Sequence, residues 1–216
     1  NYEIRPCKFV ERRLFLQSLY QITSSLKIKY QYIGFGGLTF TDFKLFHKEL
    51  NIDEMYSIEG CFTPQKLEFN KPFSCINILH GRSSQKLLNI NLRKPSIVWL
   101  DYDGELTMDV FKDINILFND LPHGSIYIMT CNRQLQNNDV DPQRPYTNRE
   151  FEAVFPGLVP FDIEDNCCAV VNTPKTIRKM VNSYCSKVLR ERSRSGSDRL
   201  IFHPLYNIKY NERGAA

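Results

Sequence analysis

Apolar positions recur in two rhythms along this chain, a helical one and a strand-like one, and they alternate from end to end. Over residues 10–26, Val10, Leu14, Leu16, Leu19, Tyr20 and Ile22 stand among polar residues at helical spacing, which predicts an amphipathic helix within an N-terminal helical segment, residues 1–29. Residues 30–35 read as a first strand. Thr39 or Thr41 is placed to cap a helix running to about Leu50, with Phe43, Leu45, Phe46 and Leu50 as its apolar contacts and Asp42 at its positive N-terminus. Residues 55–58 form a second strand, Thr63-Pro64 opens a helix that ends near Asn70 ahead of Pro72, and residues 74–79 form a third strand. Residues 96–101 are a fourth apolar run, followed by a Tyr102-Asp103-Gly104 turn and a helix marked by Val110, Ile114, Leu117 and Phe118. Residues 124–131 make a fifth strand that stops at Asn132. Beyond it the rhythm breaks: residues 133–160 are polar and contain proline, which predicts a mobile loop or lid. A sixth strand is expected over residues 167–171, a helix over 175–190 and a last strand over 200–210, where Pro204 points to an edge or a bulge.

Continuous apolar strands alternating with helices predict an α/β protein with a largely parallel sheet covered on both faces, and right-handed crossovers make it doubly wound. A chain of 216 residues fits one domain, 1–216, with a substantial core. Its 42% apolar and 24% charged residues exclude a disordered or fibrous chain. Seven cysteines, none in a C-x-x-C pair, argue against a disulfide framework or a zinc ribbon and for reduced thiols in a cytoplasm. No apolar stretch reaches the roughly 20 residues that span a bilayer, so no membrane partner is expected. The net charge of +4 is too small to name a nucleic acid, and the only biased segment, residues 190–199, reads as an exposed flexible loop.

The most informative stretch runs from Tyr30 to Glu59 and opens with YQYIGFGGLTF. A strand meets the turn Gly34-Phe35-Gly36-Gly37, a helix comes after it, and the next strand stops at Glu59. Glycines let a backbone pass close to a ligand, and a carboxylate about 20 residues further on can take both ribose hydroxyls; the other reading is a strand-to-helix turn whose glycines serve packing alone. The turn lacks the third spaced glycine of a dinucleotide site, so a nucleoside without a diphosphate, S-adenosylmethionine, suits it better than NAD.

A glycine turn after strand one, an acid ending strand two and an acid after strand four resemble the class I S-adenosylmethionine-dependent methyltransferases, whose fold is a Rossmann-like doubly wound mixed seven-stranded sheet. More narrowly, YIGFGG, TDFKLFHKEL, SIE, FNKPFSCI and WLDYDG resemble a bacterial O-methyltransferase family over most of residues 1–135. The resemblance implies S-adenosylmethionine as cofactor, held by Gly34, Phe35, Gly36, Gly37 and Glu59, with Asp101 toward the methionine part. Adenine contacts fall near residues 80–84, where Ser83 or the backbone stands in for the acid that many such folds place after strand three.

Methyl transfer needs alignment and, for a hydroxyl acceptor, removal of a proton. Asp101 and Asp103 are the candidate catalytic carboxylates. With Asn132 they resemble the all-oxygen Mg²⁺ site of catechol-type O-methyltransferases, against a reading of WLDYDG as a polar turn. Tyr102 either lines an acceptor pocket or packs. Cys131 is a candidate nucleophile, or one more buried thiol. Cations at Arg5, Lys8, Arg12 and Arg13 either lie over the cofactor carboxylate or form a solvated helix face. Three functions compete: a methyltransferase directed to oxygen on an unidentified acceptor, a non-catalytic scaffold or sensor binding a protein partner in a bacterial defence-type assembly, and a nucleic-acid methyltransferase using Arg178, Lys187, Arg190, Arg192, Arg194 and Arg199.

Overall fold

Each of the first five expected strands forms, and each begins within two residues of its expected start. The computed structural model describes residues 6–136, 144–195 and 200–209. In chain order they form α1 (Pro6–Leu26), β1 (Gln31–Gly34), α2 (Thr41–Leu50), β2 (Met55–Glu59), α3 (Pro64–Asn70), β3 (Ile76–His80), α4 (Ser83–Lys86), β4 (Ser96–Glu105), α5 (Met108–Asp120), β5 (Ile126–Asn132), α6 (Asn148–Val154) and α7 (Thr173–Ser195), with a 3-10 turn after α4. The sheet order is β3-β2-β1-β4-β5. β1 runs parallel to both β2 and β4, and β2 parallel to β3. The chain moves outward from β1 to β3 and then returns to the other side of β1, so the order reverses between β1 and β4. Open α/β sheets bind ligands outside the carboxyl ends of their strands at such a reversal. Gly34 ends β1 there, in register with Ser57 of β2 and Trp99 of β4.

The sheet has five strands among the described residues, not seven. Residues 167–171 are a series of reverse turns: Asn166 is left-handed at φ 65°, and the amides of Ala169 and Asn172 bond back to Asn166 and Ala169. Local bonds of this kind leave no backbone groups for a ladder. Residues 201–209 form no regular element, and Ile201, Leu205 and Tyr206 are exposed. Tyr210 lies outside the described residues. Residues 102–104 are not a turn but the continuation of β4. Arg190, Arg192 and Arg194 are helical in α7 instead of lying in a loop, and Arg199 is outside the described residues. At the neck of the expected lid, Tyr146 donates to the Leu135 carbonyl at 3.2 Å and Gln136 bridges Pro145. Thr147 and Glu150 then form a capping box that starts α6; residues 137–143 lie outside the described residues.

Contacts divide the chain into two compact units, Asn1–Asp101 with Leu121–Met129 and Lys209–Ala216, and Tyr102–Asp120 with Thr130–Ile208. The first is built on aromatic packing: Tyr32 meets Phe43 and Phe46 edge-on at 4.7 and 4.9 Å, and Trp99 meets Phe15 edge-on at 5.2 Å. Such pairs add about 0.5–1.5 kcal/mol each beyond their buried area. In the second, α5 buries Val110, Phe111, Ile114, Leu117 and Phe118 at helical spacing and packs on α7. Phe111 there contacts Phe155 and Tyr184.

Candidate functional site

The glycines after β1 are present for three different reasons. A Cβ on Gly34 would lie 2.6 Å from the Tyr32 hydroxyl and 3.0 Å from the Trp99 carbonyl oxygen. One on Gly36 would lie 2.3 Å from the Ser57 hydroxyl and 2.8 Å from the Phe40 ring. Gly37 is left-handed at φ 54° and faces open space. Phe35 between them is half-buried. The turn closes through Phe40, whose amide donates to the Gly36 carbonyl at 2.9 Å. Neither Thr39 nor Thr41 caps α2; their hydroxyls bond to each other at 2.9 Å, and Phe40 takes the N-cap position at φ 48°. A non-glycine residue held there costs about 1–3 kcal/mol, and the complete burial of its ring against Phe43 opposes that strain.

Glu59 joins the second strand to this turn. Its Oε2 accepts from the Gly37 amide at 3.2 Å and its Oε1 from the Cys61 amide at 2.9 Å. The Glu59 carbonyl accepts from Gly81 at 3.0 Å, which brings the chain after β3 alongside and sets Ser83 two residues further on, at the start of α4. The expected glycines, acid and serine therefore gather at one end of the sheet. Ser57 lies beneath them, fully buried, and its hydroxyl has no hydrogen-bond partner among the described residues.

Asp101 sits two residues beyond Trp99 on β4, and both its carboxylate oxygens accept from the Lys8 ammonium, at 2.9 and 3.0 Å. Glu11 lies 3.6 Å from the same ammonium. Four residues along α1, Arg12 is paired with Asp42 of α2 and lies over the Trp99 ring. The buried stripe of α1 thus begins with three charged residues, Lys8, Glu11 and Arg12, before continuing as Phe15, Leu16 and Leu19. Lys8 and Arg12 do not form the solvated face considered from the sequence but are engaged by acids of the chain itself, whereas Arg13 is exposed and lies over the Phe9 ring. Val10, Leu14 and Tyr20, expected inward, are exposed. Burial pushes the Asp42 carboxyl up, against the pull of Arg12, and holds the Tyr32 hydroxyl well above its ordinary pKa, with Asp42 and Asp101 adding to the rise. Arg5 lies outside the described residues. Asp42, Tyr32 and Ser57 carry no sequence signal that marks them as site residues; only their proximity to the glycine turn identifies them.

The expected metal trio finds no support. Asp101 is neutralised by Lys8, and Asn132 folds back on Gln134, its Oδ1 accepting from the Gln134 amide at 3.2 Å. Among the described residues, no three His, Cys, Asp or Glu side chains are placed to hold an ion. Asp103 is exposed on β4. Tyr102 donates to Asp113 of α5 at 2.7 Å, which gives it a packing partner on the helix C-terminal to it. Burial pushes the Cys131 thiol up to about 11, the opposite of what a nucleophile needs. Of the arginines on α7, Arg190 donates to the Ser186 carbonyl and Arg192 to the Phe118 carbonyl. No helix among the described residues is long and apolar enough to cross a membrane.

Comparison with known proteins adds an independent finding. Residues 1–216 match the family described as "Putative O-methyltransferase". Among solved structures, the chain is similar to an O-methyltransferase family protein from Burkholderia thailandensis, at 9% identity and a TM-score of 0.39, over 84% of this chain and 54% of that one. The chain spans about half the length of that protein. None of the curated proteins matches it.

Proposed function

The chain belongs to the Putative O-methyltransferase family, and from that premise we propose that it transfers a methyl group from S-adenosylmethionine to an oxygen of an acceptor whose identity stays open. The observation that carries this reading is the hydrogen bond from the Gly37 amide to Glu59 beside the sheet's point of reversal. A carboxylate offers about four lone-pair positions. Two are taken by the amides of Gly37 and Cys61, leaving one on each oxygen for a pair of ribose hydroxyls. Gly34 and Gly36 let the turn pack down on Tyr32, Trp99, Ser57 and Phe40, and Gly37 faces open space with no side chain, so a nucleoside can lie against the backbone there. When bound, S-adenosylmethionine supplies a methyl group on a sulfonium, already activated for displacement. The chain's part is then to orient: Glu59 fixes the ribose, residues 80–83 border the base, and Asp101 faces the amino-acid end. Asp103, exposed on β4, is our candidate to accept the acceptor's proton.

Calorimetric titration with S-adenosylhomocysteine tests this. Each charge-assisted hydrogen bond to Glu59 contributes about 1.5–3 kcal/mol, so losing both in Glu59→Ala should weaken binding by about two to four orders of magnitude. Glu59→Gln should weaken it less. Wild-type protein that takes up no ligand at millimolar concentration would contradict the reading and favour the scaffold alternative, which the engagement of Asp101 by Lys8 keeps open.

A further inference from the structure

Lys8 is among the least exposed charged residues of those described, at 7%. A lysine is buried this far only with a partner. Its partner is Asp101 on β4, two residues beyond Trp99, which is in register with Gly34 at the end of β1. The Tyr32 hydroxyl, which lies against Gly34, feels the charges of both Asp101 and Asp42. The Lys8 ammonium is therefore stationed just beyond the end of β1, where the glycine turn begins. The amino-acid end of S-adenosylmethionine carries an α-ammonium, the same chemical group as the lysine head.

We propose that the Lys8–Asp101 pair is an autoinhibitory latch, in which the Lys8 ammonium holds the acid that would otherwise receive the α-ammonium of the cofactor. Binding exchanges one ammonium for another on Asp101. Glu11, already 3.6 Å from Lys8, is the acid that keeps the displaced ammonium paired. Arg12 stays on Asp42, so α1 remains docked on α2 while its first turn lets go. Charge is conserved throughout, and no proton moves. The proposal rests on the S-adenosylmethionine reading above.

Three ligand titrations and one exchange experiment test it. Lys8→Met keeps the aliphatic stem and removes the competing charge, so S-adenosylhomocysteine should bind more tightly, within the roughly 5–150-fold range of ordinary coupling between sites. 5′-Methylthioadenosine, which lacks the amino-acid end, should show no gain, and Lys8→Arg should bind S-adenosylhomocysteine as the wild type does. In wild-type protein, saturation with S-adenosylhomocysteine should speed amide hydrogen exchange over residues 6–12, a readout that needs no variant. Wild-type binding with no gain in Lys8→Met, an equal gain for 5′-methylthioadenosine, or slower exchange over residues 6–12 would overturn the latch. Absence of binding in both wild type and Lys8→Met would instead remove the cofactor reading on which it rests, and the latch with it.

Discussion

Gly36 and Gly37 adjoin in sequence, yet the structure makes each sensitive for a different reason. A Cβ on Gly36 meets the Ser57 hydroxyl at 2.3 Å and the Phe40 ring at 2.8 Å. Both neighbours are fully buried, and Phe40 is further held at a left-handed φ, so neither can retreat. Gly36→Ala should therefore lower stability by about 1–3 kcal/mol in urea unfolding, as overpacking does. It should also abolish S-adenosylhomocysteine binding. Gly37→Ala adds its methyl to open space and bears only the left-handed backbone cost of about 1–2 kcal/mol. Gly37→Asn should recover much of that, because asparagine tolerates this conformation. The glycines and Glu59 were legible in the sequence because strand ends and turn residues leave a local signature. Ser57 was not, since a lone serine inside a strand looks the same whether its hydroxyl is bonded or orphaned.

At the scale of the element, α1 shows where periodicity misleads. Counting apolar positions points to a face containing Val10 and Tyr20, whereas the buried stripe is Lys8, Glu11, Arg12, Phe15, Leu16 and Leu19. The spacing is that of a helix, but its first half is charged because the surfaces it meets are Asp101 and Asp42. Only knowledge of the opposing acids could have turned that face inward. Removing one member of a buried ion pair leaves an uncompensated charge, and losses of about 3–5 kcal/mol are usual. Arg12→Ala should accordingly lower stability by about 3 kcal/mol in urea unfolding, while Arg12→Met with Asp42→Leu should recover most of it. A double variant as unstable as the single would show that the pair is not the source of the loss. The late elements were missed for a related reason. Residues 167–171 and 201–209 are apolar enough for strands, but the first spend their backbone bonds on turns and the second form no ladder among the described residues.

For the whole molecule, the order β3-β2-β1-β4-β5 matters more than the strand count, because it places the reversal beside Gly34. Alternation of strands and helices made the parallel sheet and its first five strands predictable. Which strand ends lie together is set by the strand order, and across them the Gly37 amide donates to Glu59. The Mg²⁺ expectation finds no support among the described residues, where a lysine from elsewhere in the chain engages one of the three oxygen-bearing side chains. The most direct test of cofactor binding at the glycine turn is a crystal structure of the protein with S-adenosylhomocysteine. Ribose hydroxyls should lie within hydrogen-bonding distance of both Glu59 oxygens, with the sulfur beyond the Gly34–Gly37 turn and the adenine toward Ser83. A ligand bound away from the carboxyl ends of β1 and β4, or one that leaves Glu59 without contact to its ribose, would contradict that assignment.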